Sequence, residues 1–200
     1  MIIASWQAVL TFALVLFLLL PVGRLSGGYR LAALLGLFLV ALIPLSTGLT
    51  LAGLLRGLTD DLAITTVVWL LAAALIRLGY LPPMPVSAKW PLWLCFAVLG
   101  LVLYPAALGL GMLDSYRWGY NPRLLILVVA VLAVVLCLLR NTLGVAMLAL
   151  ATLAFMFDLK PSDNYWDYLL DPFIVIYSLA APVIVLLPGR RGAGAKQRKH

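Results

Sequence analysis

The sequence predicts an all-α polytopic membrane protein of about seven transmembrane helices. The N-terminus is placed outside (periplasmic), the C-terminus in the cytoplasm, and a short interfacial helix before the last span. Three observations carry this. Hydrophobic residues make up 65% of the 200 and charged ones 10%, with a mean hydropathy of +1.13. A soluble domain carries roughly a quarter charged residues, so this chain has too little polar surface to face water on every side. The apolar residues gather in runs near the ~20 residues that cross a bilayer. The fourteen Lys and Arg, finally, are distributed unevenly over the connections between those runs.

Seven runs are expected as spans: 5–23, 31–55, 62–80, 90–112, 124–139, 142–157 and 168–188. The first, "SWQAVLTFALVLFLLLPVG", lacks a basic leader and a small-residue cleavage site, and reads as a retained helix rather than a signal peptide. In the second, Pro44 is expected to kink the helix, with Ser46, Thr47 and Thr50 beyond it as the polar stretch. The third begins with Thr65 and Thr66 after Asp61 and ends near Arg77, whose long side chain can snorkel to the interface. The fourth carries a second kinking proline, Pro105, and Gly100, Gly109 and Gly111 as points of close helix approach. Residues 124–157 would form one helix of about 51 Å, too long for a single crossing. "RNT" at 140–142 interrupts them with a charge and two poor helix formers, so two short paired helices are expected.

Placing the basic tail inside and alternating backwards puts ten Lys and Arg on the cytoplasmic side and four outside, as the positive-inside rule requires. All seven acidic residues, every one an Asp, then fall outside, although they were not used in the assignment. Residues 1–188 thus read as one transmembrane domain and 189–200 as a basic cytoplasmic tail. The expected setting is the inner (plasma) membrane of a bacterium, with membrane lipids as neighbours. The scattered positive charge fits topology signals and lipid contacts, and no nucleic-acid groove is expected. Cys95 and Cys137 lie inside apolar runs and read as small core residues.

The outer side carries three acidic, aromatic-rich connections: "RGLTDD", "DSYRWGYNPR" and "DLKPSDNYWDYLLDP". In the last, a helix would stack Asp163, Asp167 and Asp171 four apart on one face. Like charges at that spacing need a counter-charge. Arg117 and Arg123 are the expected partners, making a charge-paired platform rimmed by Trp118 and Trp166. Tyr120 and Asn121 join Arg117 and Trp118 as groups suited to sugars, phosphorylated head groups or a protein contact. Simpler roles stand beside these. Asp171 before Pro172 is a ready helix cap, opening the last crossing at Pro172, and Tyr165, Trp166 and Tyr168 suit an interfacial aromatic belt on a short amphipathic helix.

The order Asp163-Asn164-x-x-Asp167-x-x-x-Asp171 also resembles, with its first two residues exchanged, the first aspartate-rich motif of UbiA-type prenyltransferases, which bind magnesium diphosphate. The resemblance covers nine residues. The family's second aspartate pair, its longer chain and its cytoplasmic motif position have no counterpart here, so no metal site and no cofactor is expected.

Absences narrow the function further. The one His is His200 and there is no Glu, which removes His-ligated haem or zinc and any glutamate acid or base. No Lys lies in the last span, so a retinal Schiff base is excluded, and GxSxG, Walker and GxGxxG motifs are missing. With few polar groups inside the apolar runs, a proton-coupled transporter has little to use. The leading expectation is a small integral membrane subunit that scaffolds or positions a larger cell-envelope enzyme or transporter through its outer face. The alternatives are an enzyme acting on a lipid-linked phosphate or sugar through the Asp cluster with Arg, and a small transporter or flippase.

Overall fold

The computed structural model describes residues 3–46, 48–110 and 114–187, and its regular elements there are helical. Among the described residues nine α-helices follow one another: α1 (Ile3–Leu19), α2 (Gly27–Ala41), α3 (Leu51–Thr59), α4 (Ile64–Leu78), α5 (Val86–Ala107), α6 (Arg123–Leu138), α7 (Thr142–Met156), α8 (Trp166–Leu169) and α9 (Pro172–Leu186). Two 3-10 turns, Val22–Arg24 and Ser115–Gly119, lie between them. By length and composition only α5, with 22 residues, is apolar enough to cross a membrane among the described residues; the other long helices are shorter apolar ones. Thr47, Gly111 and the tail 189–200 lie outside the described residues.

The expected second run, 31–55, is two helices rather than one kinked one. Residues before a proline avoid the α conformation and proline donates no N–H, so α2 stops at Ala41, three residues ahead of Pro44. The chain then doubles back: Pro44 faces Thr50, Leu45 N–H donates to Leu49 O at 2.7 Å, and Gly48 takes φ +79°. Thr50 is therefore not a mid-helix polar group. Its hydroxyl caps α3 by accepting from Gly53 N at 3.1 Å.

The expected pair within 124–157 is present as α6 and α7. Arg140 takes φ +54° and Asn141 caps α7, its Oδ1 accepting from Gly144 N at 3.0 Å while its Nδ2 donates to Ala88 O at 2.7 Å. The reversal is thereby tied to the start of α5. Gly144 itself leaves no room for a methyl group, which would meet Leu92 and Leu136 side chains within 2.9 Å.

Most of the core lies between α5, α6, α7 and α9, where Phe96, Leu125, Met147 and Leu148 are fully buried. At the α5–α9 crossing a Cβ on Gly100 would lie 2.4 Å from Val175 Cγ1, so here glycine does permit close approach. Gly109 does not: nothing surrounds it, and its φ of +72° marks the turn after α5. Pro105 falls in the last turn of α5, where it leaves the helix running to Ala107. A second cluster joins α1, α2 and α4 through Phe17, Leu14, Leu34 and Ala74. Arg77 does not snorkel away from it. Its guanidinium donates to Phe17 O (3.0 Å), Leu18 O and Leu20 O (2.6 Å), closing the carbonyl end of α1. Large apolar side chains are exposed along most of the helices, with Leu39, Leu58 and Leu138 among the most exposed residues.

Candidate functional site: a locked acidic cleft beside an open basic one

The connections 59–63, 114–122 and 158–171 meet at one end of the bundle. Lys160 organises the meeting. Its side chain is buried, and Nζ donates to Asp61 O at 2.9 Å, Leu62 O at 3.1 Å and Asp167 O at 2.7 Å, and lies over the Tyr168 ring. One ammonium thus holds the start of α4 against α8. Asp171 reinforces the join: its Oδ1 accepts from Ile174 N at 2.9 Å as the cap of α9, and its Oδ2 accepts from Ala63 N at 2.9 Å. Thr65 Oγ1 adds a bond to Leu169 O at 2.6 Å.

Asn164 ties the same segment to 114–122. Its Oδ1 accepts from Trp166 N at 3.0 Å in a turn leading into α8, while its Nδ2 donates to Tyr116 O at 3.2 Å. Tyr165 N donates to Gly119 O at 3.0 Å, and Trp166 Nε1 donates to Ser115 O at 2.9 Å. The approach is tight: a Cβ on Gly119 would fall 1.6 Å from Asn164 Oδ1. Tyr165, Trp166 and Tyr168 therefore form no surface belt. They are buried, each with its polar tip bonded: Tyr165 Oη to Thr152 Oγ1 at 2.6 Å, Tyr168 Oη to Lys160 O at 2.9 Å. The expected interfacial helix is the single embedded turn α8.

Between the three connections opens a cleft of about 390 Å³ lined by Asp60, Asp61, Lys160, Ser162, Asp167 and Asp171, together with Tyr104 and Tyr116. Ser162 Oγ donates to Asp167 Oδ2, and Arg56 pairs with Asp61 at 2.7 Å. Burial pushes the Lys160 ammonium below its ordinary 10.5, outweighing the nearby carboxylates of Asp167, Asp61, Asp171 and Asp60 that favour its charge. Burial, with Asp167 beside it, pushes the Tyr116 phenol up to about 12.

The aspartates do not stack. Asp163 is exposed in the loop ahead of α8, Asp167 is in α8, and Asp171 is extended at φ −131°, so no helix carries all three. Arg117 and Arg123 reach neither Asp163 nor Asp167; among the described residues the ion pair is Arg56–Asp61. Nor do three or more His, Cys, Asp or Glu there converge as a metal-binding group. Arg117, Arg123, Trp118 and Asn121 instead line a second, wider cleft of about 620 Å³ with Asp114 and Leu124. Asp114 Oδ1 caps the Ser115–Gly119 turn by accepting from Arg117 N at 3.3 Å. Tyr120 stands exposed beside Tyr116, their rings 5.8 Å apart edge to face, whereas Trp166 is internal.

Lys160, Asn164, Ser115 and Gly119 are the residues that sequence reasoning missed. Lys160 had a signal, being the one cation within the most acidic segment. Asn164 had another, an Asn two residues before an aromatic turn. Gly119 had none, because its constraint is a neighbour 45 residues away.

No family model matches the chain, and no curated protein or solved structure is significantly similar to it.

Proposed function

We propose that the chain is a small integral membrane subunit whose outer end is a rigid docking platform for a larger cell-envelope protein. The membrane setting is supported by the exposed apolar side chains and by α5. In this reading α2 and α3 together replace the second of seven crossings, and the ten-to-four distribution of basic residues puts the acidic cleft outside. Alkylation by a membrane-impermeant maleimide of a cysteine at Ser162, with Cys95 and Cys137 replaced, tests the orientation. Labelling only after permeabilisation would reverse it.

The observation that carries the docking reading is a contrast in hydrogen bonding. Lys160, Asn164 and Asp171 are spent on holding backbone together, whereas Arg117, Trp118, Tyr120, Asn121 and Arg123 stay exposed in front of that scaffold. Exposed aromatic and Arg side chains on a rigid support are the residue types that dominate protein interfaces. A photo-crosslinking amino acid at Tyr120, activated in native membranes, should trap one partner in stoichiometric yield. Arg117→Ala with Arg123→Ala should abolish the product. Absence of any crosslinked protein would sink the reading.

A second reading has its own support. Two guanidinium groups in one cleft with Trp118 and Asn121 match a phosphorylated or glycosylated lipid head group. Flotation with vesicles containing a polyprenyl phosphate, weakened by the same double variant, would favour it.

A further inference from the structure

Away from the outer end, α1, α3, α4 and α9 line a half-open chamber of about 190 Å³ with an almost wholly apolar wall. Thr11 and Thr66 both line it, each more than nine-tenths buried, and the hydroxyl of each lacks a hydrogen-bond partner. The two threonines come from facing helices. Gln7, one turn before Thr11, donates its Nε2 to Leu62 O, one turn before Thr66, and so fixes α1 against the start of α4. The floor is Trp69 against Tyr177, ring centroids 4.5 Å apart. These two and Ile174 also wall a second cavity of about 160 Å³ that runs toward Lys89. Phe173, half exposed, stands at the chamber's edge.

A buried hydroxyl without a partner is costly, and natural interiors avoid it unless something absent supplies the bond. Water is a poor answer here. The space is many times what one water needs, and its almost wholly apolar wall offers further waters few partners. The complementary occupant is mostly apolar, with one oxygen that can accept.

We propose that this chamber binds a membrane-soluble molecule with an apolar body and a carbonyl oxygen, the oxygen accepting from Thr11 and Thr66 and the body lying over Trp69 and Tyr177. The acyl ester of a membrane lipid and a prenylated quinone share that chemistry. The inference goes beyond the docking platform and shares with it only the membrane setting.

The test uses Trp69 as reporter in the full chain purified in dodecyl maltoside micelles, whose detergent carries no carbonyl group to compete. The quenchers are a phosphatidylcholine brominated on its acyl chains and decyl-benzoquinone. The difference in fluorescence between the protein and Trp69→Phe isolates one indole. Saturable quenching of that component at low mole fraction, weakened at least fivefold in Thr11→Val/Thr66→Val, is expected for one quencher. Which one saturates identifies the source. Quenching of both that rises only in proportion to bulk content, unchanged in the double variant, would overturn the site. A second measurement uses the isosteric change alone. If the chamber is a dry void, Thr11→Val/Thr66→Val raises the thermal midpoint in detergent and in native lipid alike, which also overturns it. If it is occupied, the gain appears only after lipid is stripped away.

Discussion

Residues 114–124 and 158–171 share a vocabulary of Asp, Asn, Tyr, Trp and basic residues, yet the fold uses them in opposite ways. In the second segment the side chains turn inward. Lys160, Asn164, Asp171 and Trp166 each bind a backbone group of another segment, and three aromatic rings are buried with their polar tips satisfied. In the first, besides the backbone only Ser115 and the capping Asp114 are engaged, while Arg117, Trp118, Tyr120 and Arg123 face outward. Composition therefore marks where polar chemistry collects in an apolar protein. Whether a group supports or recognises depends on whether its hydrogen bonds are already used.

That division makes substitution effects unequal, and the largest is expected where the segments touch. Gly119→Ala drives a methyl group into Asn164 Oδ1, and the Asn164 amide is held by one bond at Oδ1 and one at Nδ2, so it cannot give way without breaking them. Overpacking of this kind costs about 3 kcal/mol. The thermal midpoint in mild detergent should fall by the largest margin of any substitution at this end. A midpoint within error of the parent would mean the segments are not joined as described.

Lys160→Met comes next. It leaves the carbonyls of Asp61 and Asp167 without this donor and Leu62 O with Gln7 Nε2 alone, a loss of about 2 kcal/mol, offset in part because a desolvated charge is also removed. Its pH signature is specific. The folded pKa of Lys160 is lowered, so in the window below the ordinary 10.5 the unfolded chain holds the proton that the folded chain releases. Stability from this group therefore rises with pH across that window and is lowest on its acid side. Parent and Lys160→Met, unfolded in parallel from pH 8 to 10.5, should diverge, the parent gaining. A constant difference would place the lysine in a more aqueous setting.

A smaller loss, about 1 kcal/mol, is expected for Asp171→Ala, which removes the α9 cap and the bond to Ala63 N together. Asp171→Asn, which keeps an acceptor oxygen, should recover part of it. Equal losses would mean that charge rather than the oxygen matters.

What could be read beforehand follows the range of each cause. The helix class, the α6–α7 reversal and the Asp171 cap are set by residues within a few positions of each other, and all three are found in the structure. The break at Pro44 was visible as a proline but misjudged as a kink. Whether a helix bends or ends depends on what takes over its carbonyls, and here the Pro44–Thr50 reversal does so. The cation for the aspartates was sought at Arg117 and Arg123. It is Lys160, which meets the carboxylate-rich cleft while bonding to carbonyls, an arrangement with no sequence period to reveal it. Burial of Tyr165, Trp166 and Tyr168 was illegible for a related reason, since an aromatic run looks the same in an interface belt as in a core. Only the distant partners Ser115 and Thr152 separate the two.

The smallest effect concerns the open segment and has the opposite sign. Arg123 is the first residue of α6, where the helix has no acidic residue in its first turn and no side-chain cap. A cation there faces the positive end of the helix dipole, and among the described residues no carboxylate within ion-pair distance relieves it. Arg123→Gln should therefore leave the fold intact and stabilise it by about 0.3 kcal/mol at low salt, the gain shrinking as the ionic strength rises and the Debye length shortens. Arg117→Ala, on an exposed turn, should change stability by no more than about 0.5 kcal/mol in either direction. If the same two substitutions abolish crosslinking from Tyr120, stability and recognition will have been separated within eleven residues: arginines that the fold does not need are retained for what they bind. If Arg123→Gln instead destabilises the protein by as much as Asp171→Ala, then Arg123 belongs to the scaffold and the contrast between the two segments fails.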